Sequence, residues 1–269
     1  MSILRKAGIL GVIAVACIVL IAAMLGQSAS ESFRSSYRYD LEISTSGPLD
    51  DTILLIPLPS RYDPGTGVNV TPFDLSHASF SRFDQDNITV AIECVDGIPM
   101  LKIAAGRIDP VYKSRIEPIL IMPGQNESDL PEPTEIYSDR YSEETPVLVD
   151  REIHITSATG REIDTRTPMG TEPLLKPYRV IRNLSSSTDD YYVSPGASGY
   201  IIEVPFILSF GAGDENILTI SSEFSGANEW WVLGWQSNSY REMVHGEFAG
   251  ACNGTYPVRG ILATGEGVY

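Results

Sequence analysis

Cysteine and histidine are scarce, three of each in 269 residues. That leaves little material for a multi-ligand zinc site and excludes a disulfide-dense scaffold. Positive charge is short as well: 19 Lys and Arg stand against 35 Asp and Glu, a net charge of −16. A phosphate-backbone binder needs a basic footprint, so nucleic acid is excluded as a partner. There is no His-Glu-x-x-His, no phosphate-binding glycine loop, no dinucleotide fingerprint and no Gly-x-Ser-x-Gly elbow. Pro195-Gly-Ala-Ser-Gly199 comes near the last, but with the wrong spacing. Asp84-x-Asp86-Asn87 starts like a calcium loop and lacks the glycine and distant glutamate, although Asp84, Asp86, Asp214 and Glu215 could meet a cation through loop geometry. No cofactor and no catalytic residue is therefore assigned, and no repeat of fixed period occurs.

One long apolar run is present. Ala7 to Leu25 is 19 residues without a charge, preceded by Arg5 and Lys6. At 1.5 Å per residue such a helix covers the roughly 30 Å hydrocarbon core of a bilayer. The run is longer than a usual signal h-region, so an uncleaved anchor over 7–25 is favoured over a signal peptide cut near Ser28-Ala29-Ser30. Cys17 sits too early in the run to be a lipidation site. Arg5 and Lys6 place residues 1–6 as a cytoplasmic stub. All but one of the acids, Glu31, lie beyond residue 36, which gives an acidic, soluble exterior.

Residues 26–36 (GQSASESFRSS) are expected as a polar tether. Beyond them the period becomes two. Tyr37, Tyr39, Leu41 and Ile43 alternate with polar residues, as in a half-buried strand. In Asn87–Ala104, Asp96-Gly97 is a tight turn that pairs Ile92 with Leu101 and Val90 with Ile103. Residues 123–146 hold four prolines and seven acids with no period, and are read as an acidic, Pro-rich linker or long loop between β domains at 37–122 and 147–269. Val147, Val149, Ile153 and Ile155 share a face on which Arg151 is the exception. Tyr200 to Phe210 is the longest alternating apolar face, with Pro205 arguing for an edge strand. Asn253-Gly254 offers another tight turn. No convincing amphipathic helix follows the anchor. The expected fold is an all-β exterior of one or two antiparallel, Ig-like β-sandwiches on a single N-terminal transmembrane helix.

Several residues are singled out. All three Trp fall within residues 230–235. Treated as one strand, Trp231 and Trp235 face the core and Trp230 faces out as a low-grade ligand surface for a sugar or a partner. Cys94 and Cys252, the two cysteines outside the anchor, are paired as a tentative disulfide, with Cys94 expected to point inward. Asn87, Asn126, Asn183 and Asn253 are sequons for glycosylation, and Asn69 is a weaker one because Pro72 follows its Thr. His245-Gly-Glu247 is the one short-range His–acid pair, best read as surface. The function expected is a membrane-anchored extracytoplasmic protein with a non-enzymatic binding, scaffolding or envelope role. Its partners are the membrane, through the helix, and a protein or carbohydrate outside the cell. The alternatives are an accessory subunit of a membrane complex and an anchored hydrolase of envelope sugars or peptides.

Overall fold

The computed structural model describes residues 3–84, 86–113, 147–176, 179–184 and 193–269, and of residues 3–12, 14 and 113 the backbone alone. Asn126 and the 123–146 segment lie outside the described residues. A single helix, α1 (Ile3–Ser32), precedes the strands. The first half contributes β1 (Arg34–Thr45), β2 (Leu49–Pro57), β3 (Pro59–Asp63), β4 (Val68–Val70), β5 (Ala78–Ser81), β6 (Thr89–Val95), β7 (Ile98–Ile108) and β8 (Tyr112–Lys113). The second half contributes β9 (Val147–Leu148), β10 (Arg151–Thr159), β11 (Leu174–Leu175) and β12 (Arg179–Leu184). Four long strands complete it: β13 (Ser198–Ala212), β14 (Ile217–Trp231), β15 (Trp235–Ala249) and β16 (Cys252–Gly267).

The main sheet is antiparallel, in the order β5-β10-β1-β14-β15-β16-β13-β2-β7-β6, with β12 also on β13. It is curled into a half-barrel. Strands expected in separate β domains alternate within it: β1 lies between β10 and β14, and β2 between β13 and β7. One apolar cluster draws on both halves, including Tyr39, Leu54, Leu101, Ile153, Phe206 and Phe224. Division into 37–122 and 147–269 therefore does not describe the packing, because neither segment closes a core by itself.

Burial follows the alternation closely. Tyr37, Tyr39, Leu41 and Ile43 are all buried, as are Ile202, Val204, Phe206, Leu208 and Phe210. Rings from different strands interlock at the centre: Phe73 meets Phe224 edge-on at 6.0 Å, and Phe224 meets Tyr240 at 5.7 Å. Arg151 is explained by pairing. Its side chain is 2% exposed, and its guanidinium binds the Asp86 carboxylate and the Asp109 carbonyl. Asp86 is thereby committed to an arginine and not to a cation.

Pro205 is not on an edge. It faces Pro257 of β16, so the directly opposed pair has no N–H to exchange across the ladder. On its other side β12 pairs with β13 only as far as Glu203, and β2 begins only at Ile207. Pro205 occupies the gap between those two neighbours, where no donor is required. Asn253 and Gly254 also lie within a strand, opposite Ser209 and Leu208, and the chain turns at Gly250 (φ 69°) instead.

The expected tether is absent. Helix α1 continues through residues 26–32 and only Phe33 separates it from β1. α1 is the one helix among the described residues long and apolar enough to cross a membrane; no residue of its Val15–Ser32 stretch is buried, and only its C-terminal end touches the sheet, at β14.

Candidate functional site

The pairing of β15 with β16 is confined to residues 238–244 of β15 and 260–267 of β16. Beyond Val244 and Gly260 the two strands part and each keeps only its outer neighbour. The approach at this crease is so close that a Cβ on Gly260 would sit 2.1 Å from the Met243 carbonyl oxygen, so only glycine fits. On the outer face the crease and the curl leave a groove of about 970 Å³ across β10, β1, β14, β15 and β16.

Register determines what lines it. Asp40 stands opposite His154 on one side and Glu223 on the other. Glu42 stands opposite Glu152 and Ser221. Ser221 faces His245, and Met243 faces Ile261. Four carboxylates thus gather on β1, β10 and β14, while Arg259 and His245 line the opposite flank. Glu42 is held above the ordinary carboxylate range by partial burial, reinforced by the charges of Asp150, Glu152, Asp40 and Glu223. Arg38 donates to Asp40 at 2.7 Å, and that bond raises the arginine's proton affinity further.

Two hydroxyl–imidazole–carboxylate chains cross the groove. A carboxylate only accepts, so His154 Nδ1 donates to Asp40 Oδ1 (2.5 Å), and Nε2 is hydrogen-bonded to Thr156 Oγ1 (3.0 Å). Ser221 Oγ lies 2.8 Å from His245 Nδ1, and His245 Nε2 lies 3.7 Å from Glu247. Both chains sit mid-strand. The His154 side chain is 42% exposed and the amides of its ladder serve the β1 and β5 pairings. Acyl transfer also needs free donors aimed at a developing oxyanion, and a paired strand interior does not present them. What the groove offers is a bipolar surface, with Met243 half-buried in it and Ile261 buried beneath.

A second polar centre lies inside. Glu242 is fully buried between Phe224 and Leu262, and its Oε2 accepts from the Leu175 amide at 2.7 Å. Burial pushes its carboxyl up to about 8, against the opposing pull of that hydrogen bond and of Lys176. Glu172, also buried, accepts from Tyr37 Oη, from Arg161 and from the Asp164 amide, which ties the loop after β10 to β1. These contacts organise the fold.

The residues singled out from sequence are dispersed. Trp230 is half-buried, stacked on Phe33 with centroids 6.4 Å apart, whereas Trp231 and Trp235 are 39% and 59% exposed. The expected faces are reversed: Trp230 continues the inward parity of Phe224 and Asn228 along β14, and Trp231 and Trp235, paired across the Val232–Gly234 turn, share the outer face. Cys94 and Cys252 are unpaired. Cys94 is exposed on the edge strand β6, and β7, β2 and β13 stand between it and buried Cys252 on β16. Asn87, Asn183 and Asn253 are exposed, whereas Asn69 donates to the Gly97 carbonyl. Among the described residues no cluster of His, Cys, Asp and Glu could hold a metal ion. The groove residues Asp40, Glu42 and His154 carried one signal in the sequence, their place on the polar side of alternating strands. Which strands would be neighbours carried none. Comparison with protein-family models, with curated proteins and with solved structures found no match.

Proposed function

We propose that this chain is a membrane-anchored, extracytoplasmic β-protein, sandwich-like in its packing, that binds or scaffolds other envelope components without catalysing a reaction. The observation that carries this reading is continuity. An apolar helix with an unburied surface leads within one residue into an interior strand of the sheet. Arg5 and Lys6 favour a cytoplasmic N-terminus, which leaves the sheet and its groove outside. The groove's acidic and basic flanks suit an extended polar ligand, a peptide or a carbohydrate. The exposed asparagines at 87, 183 and 253 would carry glycans in a glycosylating envelope.

Protease added to right-side-out vesicles should digest the sheet, and protection of the sheet would refute the orientation. Crosslinking from the groove in mild detergent then separates the roles. Wall peptide or glycan at the groove supports binding. A stoichiometric membrane protein instead supports an accessory subunit of a membrane complex. The Asp40–His154–Thr156 chain favours one second reading, an anchored hydrolase. Hydrolysis of envelope material that Thr156→Ala abolishes would establish it.

A further inference from the structure

The three tryptophans of the chain all lie in one hairpin tip, where β14 turns into β15. Tight turns are ordinarily built from Gly, Asn and Asp, yet this tip reads Trp-Val-Leu-Gly-Trp. Leu233 sits in the left-handed region at φ 55°, which a leucine adopts at a cost, and it is 79% exposed. Trp231, Trp235 and Phe33 add exposed apolar surface beside it. The charges at the tip neutralise each other: Arg34 pairs with Glu229 at 2.7 Å and lies 4.7 Å over the Trp235 ring. The Phe33–Trp230 stack supports the fold, but a leucine 79% exposed in a strained turn does not.

Its position indicates what covers it. The Trp231 amide donates to Ser32 Oγ in the last turn of α1. β14 runs antiparallel to β1, so beyond Trp231 the chain runs past the start of β1 on the side of α1. Ser32 lies seven residues past the end of the apolar run at Leu25, about 10 Å along a helix. Val232 and Leu233 form the turn apex and carry the tip back by no more than about 7 Å, the reach of two extended residues. The tip therefore lies about 4–10 Å beyond the hydrocarbon boundary of any bilayer that α1 spans, at the level of the interfacial layer of roughly 5–7 Å per side. Trp and Leu suit that layer, where an apolar body is buried and the indole N–H stays wet.

We propose that this tip is a second membrane contact: Trp231, Leu233 and Trp235 insert into the headgroup–acyl boundary of the bilayer that α1 crosses and fix the sheet upright on it. The proposal rests on α1 being a membrane span. With the strongly acidic chain and the paired charges at the tip, the lipid it fits is zwitterionic.

The test uses the full chain in phosphatidylcholine vesicles. Every tryptophan is in the tip, so intrinsic emission reports on it alone. Lipids brominated near the glycerol end should quench it more than lipids brominated near the acyl terminus, and aqueous iodide should quench it weakly. Leu233→Asp, a residue that tolerates the left-handed turn, should lose most of the lipid quenching and gain iodide access. Strong iodide quenching of the wild-type chain with none from lipid overturns the proposal. Shielding from both quenchers also overturns it, because the tip is then covered by protein, such as a second copy. An unchanged profile in Leu233→Asp overturns the insertion of that residue. Carbonate extraction distinguishes the two levels: a chain that leaves the vesicles refutes the anchor and the tip contact with it, whereas a chain that stays while its tryptophans remain wet refutes the tip contact alone.

Discussion

Two hairpins of the same sheet are built on opposite terms. The β6–β7 hairpin closes on Asp96 and Gly97, both at positive φ (50° and 77°), with polar residues at its tip and an outer strand that is largely exposed. The β14–β15 hairpin runs through the middle of the sheet, buries Phe224, Tyr240 and Glu242 along its length, and closes on Val232, Leu233 and Gly234. In the first, turn chemistry defines the hairpin and burial adds little. In the second, burial on both flanks defines it, and the turn is free to carry residues that a turn would not select.

The contrast breaks most visibly on truncation. In detergent, Phe224→Ala should lower unfolding free energy by about 3–5 kcal/mol, since it opens a hole where four aromatic rings meet. Ile92→Ala on β6, already 38% exposed, should cost below about 1 kcal/mol. Similar losses at the two sites would mean that β6 packs as deeply as β14.

Glu242 makes the central hairpin sensitive to pH. Its folded carboxyl holds a proton up to about pH 8, whereas the unfolded group releases it near 4.5. Across that window the folded state binds more protons, so stability falls as pH rises, by at most about 1.4 kcal/mol per pH unit. Below the window the contribution is complete, and above it the loss is constant. Glu242→Gln should remove this slope in denaturant titrations. An unaltered slope in the variant would assign it to other groups.

Smaller effects separate the tip residues. Trp230→Ala should cost about 1–2 kcal/mol through the lost stack on Phe33 and its partial burial, and Trp231→Ala should stay within about 0.5 kcal/mol in detergent. The reverse order would restore the arrangement expected from alternation. Gly97→Ala should destabilise the polar turn by about 1 kcal/mol, whereas Leu233→Asn should stabilise the apolar one by up to about 1 kcal/mol. A loss from Leu233→Asn would mean that the leucine serves the fold after all. The smallest effect is expected at the cysteines. Cys94 should alkylate in the folded chain without a stability change, and Cys252 only after denaturation. Recovery of a Cys94–Cys252 linked peptide would contradict the strand order.

These two hairpins also mark what the sequence revealed. Asp96-Gly97 and the alternation around it are local signals, and the pairs Ile92–Leu101 and Val90–Ile103 occur as expected. At 230–235 two strands and a turn were read as one strand; Trp231 and Trp235 do share a face, but it is the outer one, because Trp230 keeps the inward parity of Phe224 and Asn228. Pro205 misled for a different reason: the gap beside it arises where β12 ends and β2 begins, strands far from it in sequence. Arg151 stood out as an exception, but its partner Asp86 is 65 residues away. The acids of the groove were readable as solvent-facing. Their convergence depended on β1 being flanked by β10 and β14, a long-range choice that alternation leaves open.

The passage from α1 into β1 carries a mechanical consequence. A pull transmitted through the helix enters the sheet at Arg34, along the axis of a strand paired with β14 over Arg34–Thr45 and with β10 over Ser35–Ile43. The tension is applied in shear. Both rows of hydrogen bonds are strained side by side and must fail together, whereas a hairpin pulled from its open end unzips one pair at a time. Rupture under force is governed by the unfolding barrier and not by equilibrium stability. A sheet loaded in this way stays intact under a pull on its helix that would open a hairpin loaded from its end.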